Sequence, residues 1–185
     1  LGWSVVGTRA VRDVTGDIVA ALQETAGVAE IILVTGGLGP TEDDRTRQAL
    51  AQATGQPLAE RPELVEQIEA RFRQIQKPMR PINRVQAQVP QGAEGVRNTC
   101  GTAPGSCCRL AGATVYAMPG VPREMKEMFT LSLMPALRLP EAEGLEVMRR
   151  LHIFGLGESN VGEAIGEWMA EGSNPTVGTT VQQGV

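Results

Sequence analysis

Glu30-Ile31-Ile32-Leu33-Val34-Thr35-Gly36-Gly37-Leu38-Gly39-Pro40-Thr41-Glu42-Asp43-Asp44-Arg45-Thr46 is the stretch on which the reading of this chain turns. Ile31 to Val34 is an apolar run without polar alternation, the pattern of a strand covered on both faces in a parallel sheet. Gly36, Gly37 and Gly39 remove three Cβ atoms, so the backbone can take positive φ and approach a ligand closely. Thr41 followed three residues on by Asp44 reads as a helix N-cap with a carboxylate at N3, a variant of the capping box. Strand end, glycine turn and helix N-terminus together expose unpaired N–H groups to an anion. Asp43 and Asp44 beside such a turn make chemical sense if a hard divalent cation joins them to a phosphate.

Outward from that stretch the order is strand, helix, strand, helix. Trp3 to Val11 reads as a strand through Val5, Val6 and Val11. A helix from about Asp17 to Ala26 carries Ile18, Val19 and Leu22 and stops at Gly27. The helix after the glycine turn is expected to run to Thr54, closed by Gly55 and Pro57. Pro62 opens another, with Leu64, Val65, Ile68, Phe72 and Ile75 at helical spacing and Pro78 and Pro81 as its end. The linker to Cys100 is too punctuated for a long element. Ser106–Leu110 and Thr114–Met118 around Ala111-Gly112-Ala113 read as a β-hairpin. Pro119-Gly120-Val121-Pro122 then turns into a helix with Arg123 and Glu124 in its first turn. The expectation is an α/β domain over 1–140, three layers with a mostly parallel sheet, its edge marked by Pro135 and Pro140.

Residues 141–185 read as the start of a small α+β domain. Leu145–Phe154 is strand-like, Ser159 is placed to cap a helix bearing Val161, Ile165, Trp168 and Met169, and Asn174-Pro175 breaks it. A strand from Thr176 to Val181 and a hairpin turn at Gly184 complete the expectation. The 185 residues suffice for one full core and a small second unit. A net charge of −4 gives nucleic-acid binding no electrostatic support. No apolar run reaches the roughly 18 residues of a membrane span. Cys100, Cys107 and Cys108 lack the spacing of a zinc site and read as reduced thiols of a cytoplasmic protein. His152 is the single histidine, which argues against imidazole-based metal or triad chemistry. With Leu1 in first place, the sequence reads as a fragment that opens mid-fold.

Thr35 to Thr46 resembles the signature of the molybdopterin-binding (MoaB/Mog-like) fold, and Leu38 with the double aspartate is similar to its CinA branch, the competence-damage-inducible proteins. Asn83-Arg84-Val85-Gln86-Ala87, Gly101-Thr102-Ala103-Pro104-Gly105 and Met118 to Met125 extend the resemblance in order. Phe154 to Ser159 and Asn174-Pro175-Thr176 resemble the small CinA-specific domain. The resemblance implies a homo-oligomeric pyrophosphatase of ADP-ribose or a similar nucleoside diphosphate, with magnesium as the natural cation for oxygen-only ligands. An alternative is molybdopterin binding with adenylyl transfer, against which Leu38 counts because Mog-like signatures carry threonine there. A non-catalytic nucleotide-binding module is the third reading. Family members begin with an extra strand carrying a Gly-Thr-Glu segment and a helix near a Thr-Asn pair, neither of which is in this sequence. Many CinA proteins also continue into a nicotinamide-nucleotide amidase domain, which this sequence does not reach.

Carried onto these positions, the resemblance makes Asp44 and Asp13 the catalytic candidates and Asp43 with Asp44 the metal ligands. Gly36, Gly37, Leu38, Gly39, Pro40, Thr41 and Thr46 form the expected phosphate loop. Gly101, Thr102, Ala103, Pro104 and Gly105 offer backbone N–H groups and one hydroxyl to phosphate or ribose. Pro119, Gly120 and Pro122 are walls, Glu124 is a partner for a ribose hydroxyl or a cap of its own helix, and Asn83 is a candidate to orient a phosphate.

Overall fold

The computed structural model describes residues 3–137 and 147–180, which divide into two compact units, 1–142 and 143–185. In the first unit, α1 (Thr15–Ala26) buries Ile18, Val19, Leu22 and Ala26 along one stripe. After it come β1 (Ile31–Thr35) and α2 (Thr46–Thr54), which ends at Gly55 with a left-handed φ of 68°. β2 (Leu58–Glu60) precedes α3 (Pro62–Gln74), where proline takes the first turn because no N–H is needed there. A 3₁₀ helix (Pro81–Ala87) leads to β3 (Gln88–Pro90) and β4 (Glu94–Val96). β5 (Gly105–Leu110) and β6 (Ala113–Met118) form the hairpin, followed by α4 (Pro122–Met128), a π-helical turn (Phe129–Leu133) and α5 (Met134–Ala136).

The main sheet has the order β1-β6-β5-β4 and is mixed. β1 runs parallel to β6, whereas β6–β5 and β5–β4 are antiparallel among the described residues. β2 and β3 form a separate antiparallel pair. Alternation along β6 divides the core in two: Ala113, Val115 and Ala117 pack with α1, α2 and α3, while Tyr116 and Met118 pack with Met128 and Leu133. The domain is therefore α/β with helices on both faces of the sheet, the three-layer arrangement.

Several expectations need correction. Trp3 to Val11 forms no strand; Val5 is 83% exposed, and its β-branched neighbours find no ladder partner among the described residues. β1 buries Ile32 on one face, while on the other Ile31 is half-buried and Leu33 is 46% exposed, so the continuous apolar run is only partly covered on that second face. The glycine turn does not open directly into a helix: α2 begins at Thr46, five residues after Thr41, and Arg45 is its N-cap. The linker contains two short strands, β3 and β4, that its prolines and glycines concealed.

In the second unit α6 (Glu158–Ile165) is capped from Gly157, placing Ser159 inside the first turn, and a 3₁₀ turn follows at Gly166–Met169. Trp168 and Met169 are exposed rather than part of a buried stripe. Residues 147–154 and 176–180 are not strands. Leu145, Pro140, Val181 and Gly184 lie outside the described residues. Among the described residues no helix is long and apolar enough to cross a membrane.

The two faces of β1 make a direct test. Ile32→Ala, which empties a site in the core under α1 and α2, is expected to cost about 2–5 kcal/mol. Leu33→Ala is expected to cost less than about 1 kcal/mol. Urea unfolding of the two variants side by side checks the difference.

Candidate functional site

The register of the sheet brings three loops to one edge. Thr35 of β1 pairs with Met118 of β6 in parallel, so the Gly36 turn and the Pro119–Pro122 turn leave the sheet side by side. The Gly36 N–H donates to Met118 O at 2.9 Å, extending the ladder one residue past the strand. A Cβ on Gly120 would sit 3.2 Å from Gly36 Cα, so the two turns touch. β5 runs the other way, with Ser106 opposite Ala117, and the Gly101–Gly105 loop therefore arrives at the same edge. This is the carboxyl end of the parallel strands, where open α/β sheets place ligands.

In the first loop Gly36 and Gly37 have φ of 98° and 65°, values that a side chain would strain. Space excludes a side chain at Gly37 as well, because a Cβ would overlap Thr46 Oγ1. Thr46 clamps the loop: its N–H donates to Gly37 O at 3.2 Å and its hydroxyl to Gly36 O at 2.8 Å. Leu38 is 3% exposed and packed in the core, so only its backbone can face a ligand. The Asp44 carboxylate folds back on the loop, where Oδ2 accepts from Thr41 N–H at 2.9 Å and Thr41 Oγ1 at 2.6 Å. The reciprocal half of the expected capping pair is thus present, closed outside the helix rather than in its first turn.

Burial by itself would raise the Asp44 carboxyl, but the Thr41 and Gly39 donors and the nearby Arg47 charge outweigh it, holding its pKa below the usual carboxylate value. Arg47, 4% exposed, donates from Nη2 to Gly39 O at 2.6 Å, and Nη1 finds no acceptor among the described residues. Its pKa is lowered by burial, with the Asp44 charge opposing that shift. Asp43 is exposed on the loop. Asp13 is exposed and its side chain makes no hydrogen bond among the described residues.

The second loop is organised by Asn98, 3% exposed. Its Oδ1 accepts from Gly101 N–H at 2.8 Å and Cys100 N–H at 3.1 Å. Its Nδ2 donates to Ala103 O at 2.8 Å and to Glu124 Oε2 at 2.7 Å. From α3, Arg71 Nη2 donates to Cys100 O at 2.6 Å. Gly101, Ala103, Pro104 and Gly105 are buried, and Thr102 is half-buried. In the third loop Pro119 is buried, Gly120 and Pro122 are exposed, and Glu124 turns from its helix toward Asn98 rather than capping the helix.

Asn83 is engaged within its own helix. It caps the 3₁₀ helix after α3, with Arg80 N–H on Oδ1 at 3.1 Å and its own N–H on Arg80 O at 2.9 Å. The cysteines are not activated thiols: burial and the Glu127 carboxylate push Cys100 up, and burial pushes Cys108 up to about 11.

Sequence reading passed over Arg47 and Asn98. Arg47 lies three residues before buried Leu50, on the inward stripe of α2, which was the available signal. For Asn98 the signal was an asparagine two and three residues before the backbone N–H groups it binds, the pattern of an Asx turn.

A family model described as "Probable molybdopterin binding domain" matches residues 1–139, and one described as "Damage-inducible protein CinA KH domain" matches residues 148–185. The chain belongs to the CinA family. Over 171 residues it is 43% identical to a CinA-like protein of Synechococcus sp. (strain CC9902), covering 90% of this chain and 40% of the relative. A CinA-like protein of Gloeobacter violaceus is 44% identical over 170 residues, covering 90% and 39%. The chain thus spans about 40% of the length of the curated CinA-family relatives it matches. The crystal structure of CinA from Thermoplasma acidophilum superposes with a TM-score of 0.60 at 29% identity, over 66% of this chain and 72% of that one. The match to the first model carries the MoaB/Mog-like domain, and the second gives the C-terminal unit its KH-like assignment.

The Asp44 contacts carry a pH signature. A carboxyl whose folded-state pKa is depressed stabilises above its unfolded value, about 3.9, and loses that contribution as pH falls through the lower folded value. Asp44→Asn keeps an acceptor for the Thr41 donors but has no charge to titrate. The expected outcome is a steeper fall of the urea midpoint below about pH 4 in the parent than in Asp44→Asn, measured from neutral to acid pH.

Proposed function

We propose that this chain binds a nucleoside diphosphate such as ADP-ribose at the three-loop edge of the sheet and hydrolyses its pyrophosphate with a divalent cation. The observation that carries this reading is the convergence of the Gly36–Thr41, Gly101–Gly105 and Pro119–Pro122 loops beside the N-terminus of α2, with Asp43 and Asp44 on the first loop. Glycine turn and helix N-terminus suit a phosphate, and the Gly101–Gly105 loop with Glu124 suits the sugar.

Among the described residues no three Asp, Glu, Cys or His side chains form a cluster that could hold an ion by themselves. Magnesium does not require that; it keeps several waters and takes one or two carboxylates together with substrate phosphate oxygens. Asp43 is exposed, and both Thr41 bonds fall on Oδ2 of Asp44, leaving acceptor capacity at Oδ1. These two carboxylates fit such an ion, which when bound would neutralise phosphate charge and help activate water. The chain's own part is positional. Thr46 holds the Gly36 and Gly37 carbonyls against the N-terminus of α2, Thr41 fixes Asp44, and the buried Arg47 guanidinium adds positive charge beneath Gly39. Fixed dipoles and charge of this kind act without reorganisation as negative charge shifts at phosphorus.

A second reading, handling of a molybdopterin adenylyl pyrophosphate, is supported by the description of the family model over residues 1–139. It would use the same edge of the sheet, since both reactions act at phosphorus of an adenylyl pyrophosphate.

The test is release of AMP and ribose 5-phosphate from ADP-ribose, with magnesium and with excess EDTA. Turnover is expected only with the cation, and turnover undiminished by EDTA would overturn the metal role. Asp44→Asn is expected to lower turnover by about two decades or more, the scale of removing a charge-stabilising group. At neutral pH it should lower the melting temperature by no more than loss of a cap does, roughly 0.5–2 kcal/mol of stability. Normal turnover in Asp44→Asn would shift the metal role to Asp43.

A further inference from the structure

Glu124 is half-buried, yet its partner among the described residues is a neutral amide, Asn98 Nδ2 at 2.7 Å. No ion pair among the described residues neutralises it. A carboxylate drawn out of water without a countercharge is unfavourable unless hydrogen bonds or a ligand compensate it. The surrounding chain is shaped to accept it: a Cβ on Gly101 would overlap both the Glu124 carboxylate and Asn98 Nδ2. Asn98 itself has no hydrogen-bonding capacity left over, because Oδ1 takes two backbone N–H groups and Nδ2 gives its two protons to Ala103 O and Glu124. One side chain therefore sets the curvature of the Gly101–Gly105 loop and the direction of the Glu124 carboxylate together.

We propose that Asn98 is a positioning residue: by tying Glu124 Oε2 to the loop, it leaves Oε1 as an acceptor for the vicinal hydroxyls of a ribose bound at this edge. The inference rests on the nucleotide reading above. It assigns Asn98 no contact with the ligand, so its effect runs through Glu124. These hydrogen bonds determine how exchange of the pair should behave. In Glu124→Gln, Asn98 still donates to the amide oxygen, which turns the amide NH₂ toward the ligand and replaces an acceptor by a donor. In Asn98→Asp, two carboxylates face each other and Ala103 O loses its donor. In the double variant Asn98→Asp/Glu124→Gln, the amide NH₂ is drawn to the new carboxylate and the amide oxygen faces the ligand again, while Ala103 O still lacks its donor.

The experiment measures AMP and ADP-ribose affinity by calorimetry, and melting temperature, for the parent chain, both single variants and the double variant. Each single variant is expected to lose about tenfold or more in affinity, the scale of one hydrogen bond to a charged group. The double variant is expected to recover most of that affinity while melting as low as Asn98→Asp alone. AMP lacking both ribose hydroxyls should bind the parent about tenfold more weakly than AMP does, and the Glu124→Gln variant should not discriminate between the two. Affinity that follows melting temperature through all the variants would reduce Asn98 to a structural residue and overturn the proposal. So would unchanged affinity in Asn98→Asp, or a parent chain that binds neither nucleotide. Tight binding with this pattern but no hydrolysis of ADP-ribose would sustain the proposal and sink the pyrophosphatase reading alone.

Discussion

The parallel pairing of β1 with β6 is the constraint on which the site depends. Parallel strands cannot be joined by a tight turn, so both must leave the sheet at the same end. The ladder bond from Gly36 N–H to Met118 O holds the two exits together, and the absence of a side chain at Gly120 lets its backbone approach Gly36. β5, antiparallel to β6, then delivers the start of its own strand to that end. A shift of one residue in this register would exchange the two faces of β6 and move Val115 and Ala117 out of the core beneath α1, α2 and α3. Core packing thus protects the geometry of the loops.

At that edge the chain fixes its charged groups through hydrogen bonds rather than ion pairs among the described residues. Asp44 is fixed by Thr41, and Arg47 is buried against Gly39 with part of its guanidinium unpartnered among the described residues. An unpaired buried donor costs about 1–3 kcal/mol. Glu124 repeats the theme across the site, its carboxylate tied to an amide rather than to a cation. Such arrangements sacrifice stability and cluster where ligands bind, because they offer fixed charge and open hydrogen-bonding capacity. In the proposed reading they also divide the labour, with Arg47 and the N-terminus of α2 serving the phosphate and Asn98 and Glu124 the sugar.

The second unit contributes a short helix and a 3₁₀ turn with exposed apolar residues, among them Trp168 at the end of the 3₁₀ turn. Its family assignment comes from the match over residues 148–185. The pyrophosphatase reading draws on residues of the first unit alone.

Local signals settled much of this fold in advance. The α1 stripe ended by Gly27, β1 running into three glycines, α3 opened by Pro62 and the β5–β6 hairpin are each specified by residues within a few positions of one another, and each formed where the pattern placed it. The glycine turn, the Gly101–Gly105 segment and Glu124 were legible as candidate site components for the same reason. Partnership across the chain was not legible. Val5 and Val6 have strand propensity, but a strand exists only with a neighbour to pair, and among the described residues they have none. Leu58–Glu60 and Gln88–Pro90 are short and punctuated, and became strands because each found the other. Arg47 reads as a surface cation until α2 turns it inward, and Asn98 reads as a turn residue until α4 brings Glu124 to its free N–H. Sequence determines what each short segment can do at the cost of local entropy alone. Which buried polar groups meet depends on contacts between residues far apart in the chain, and only the packed tertiary structure decides those.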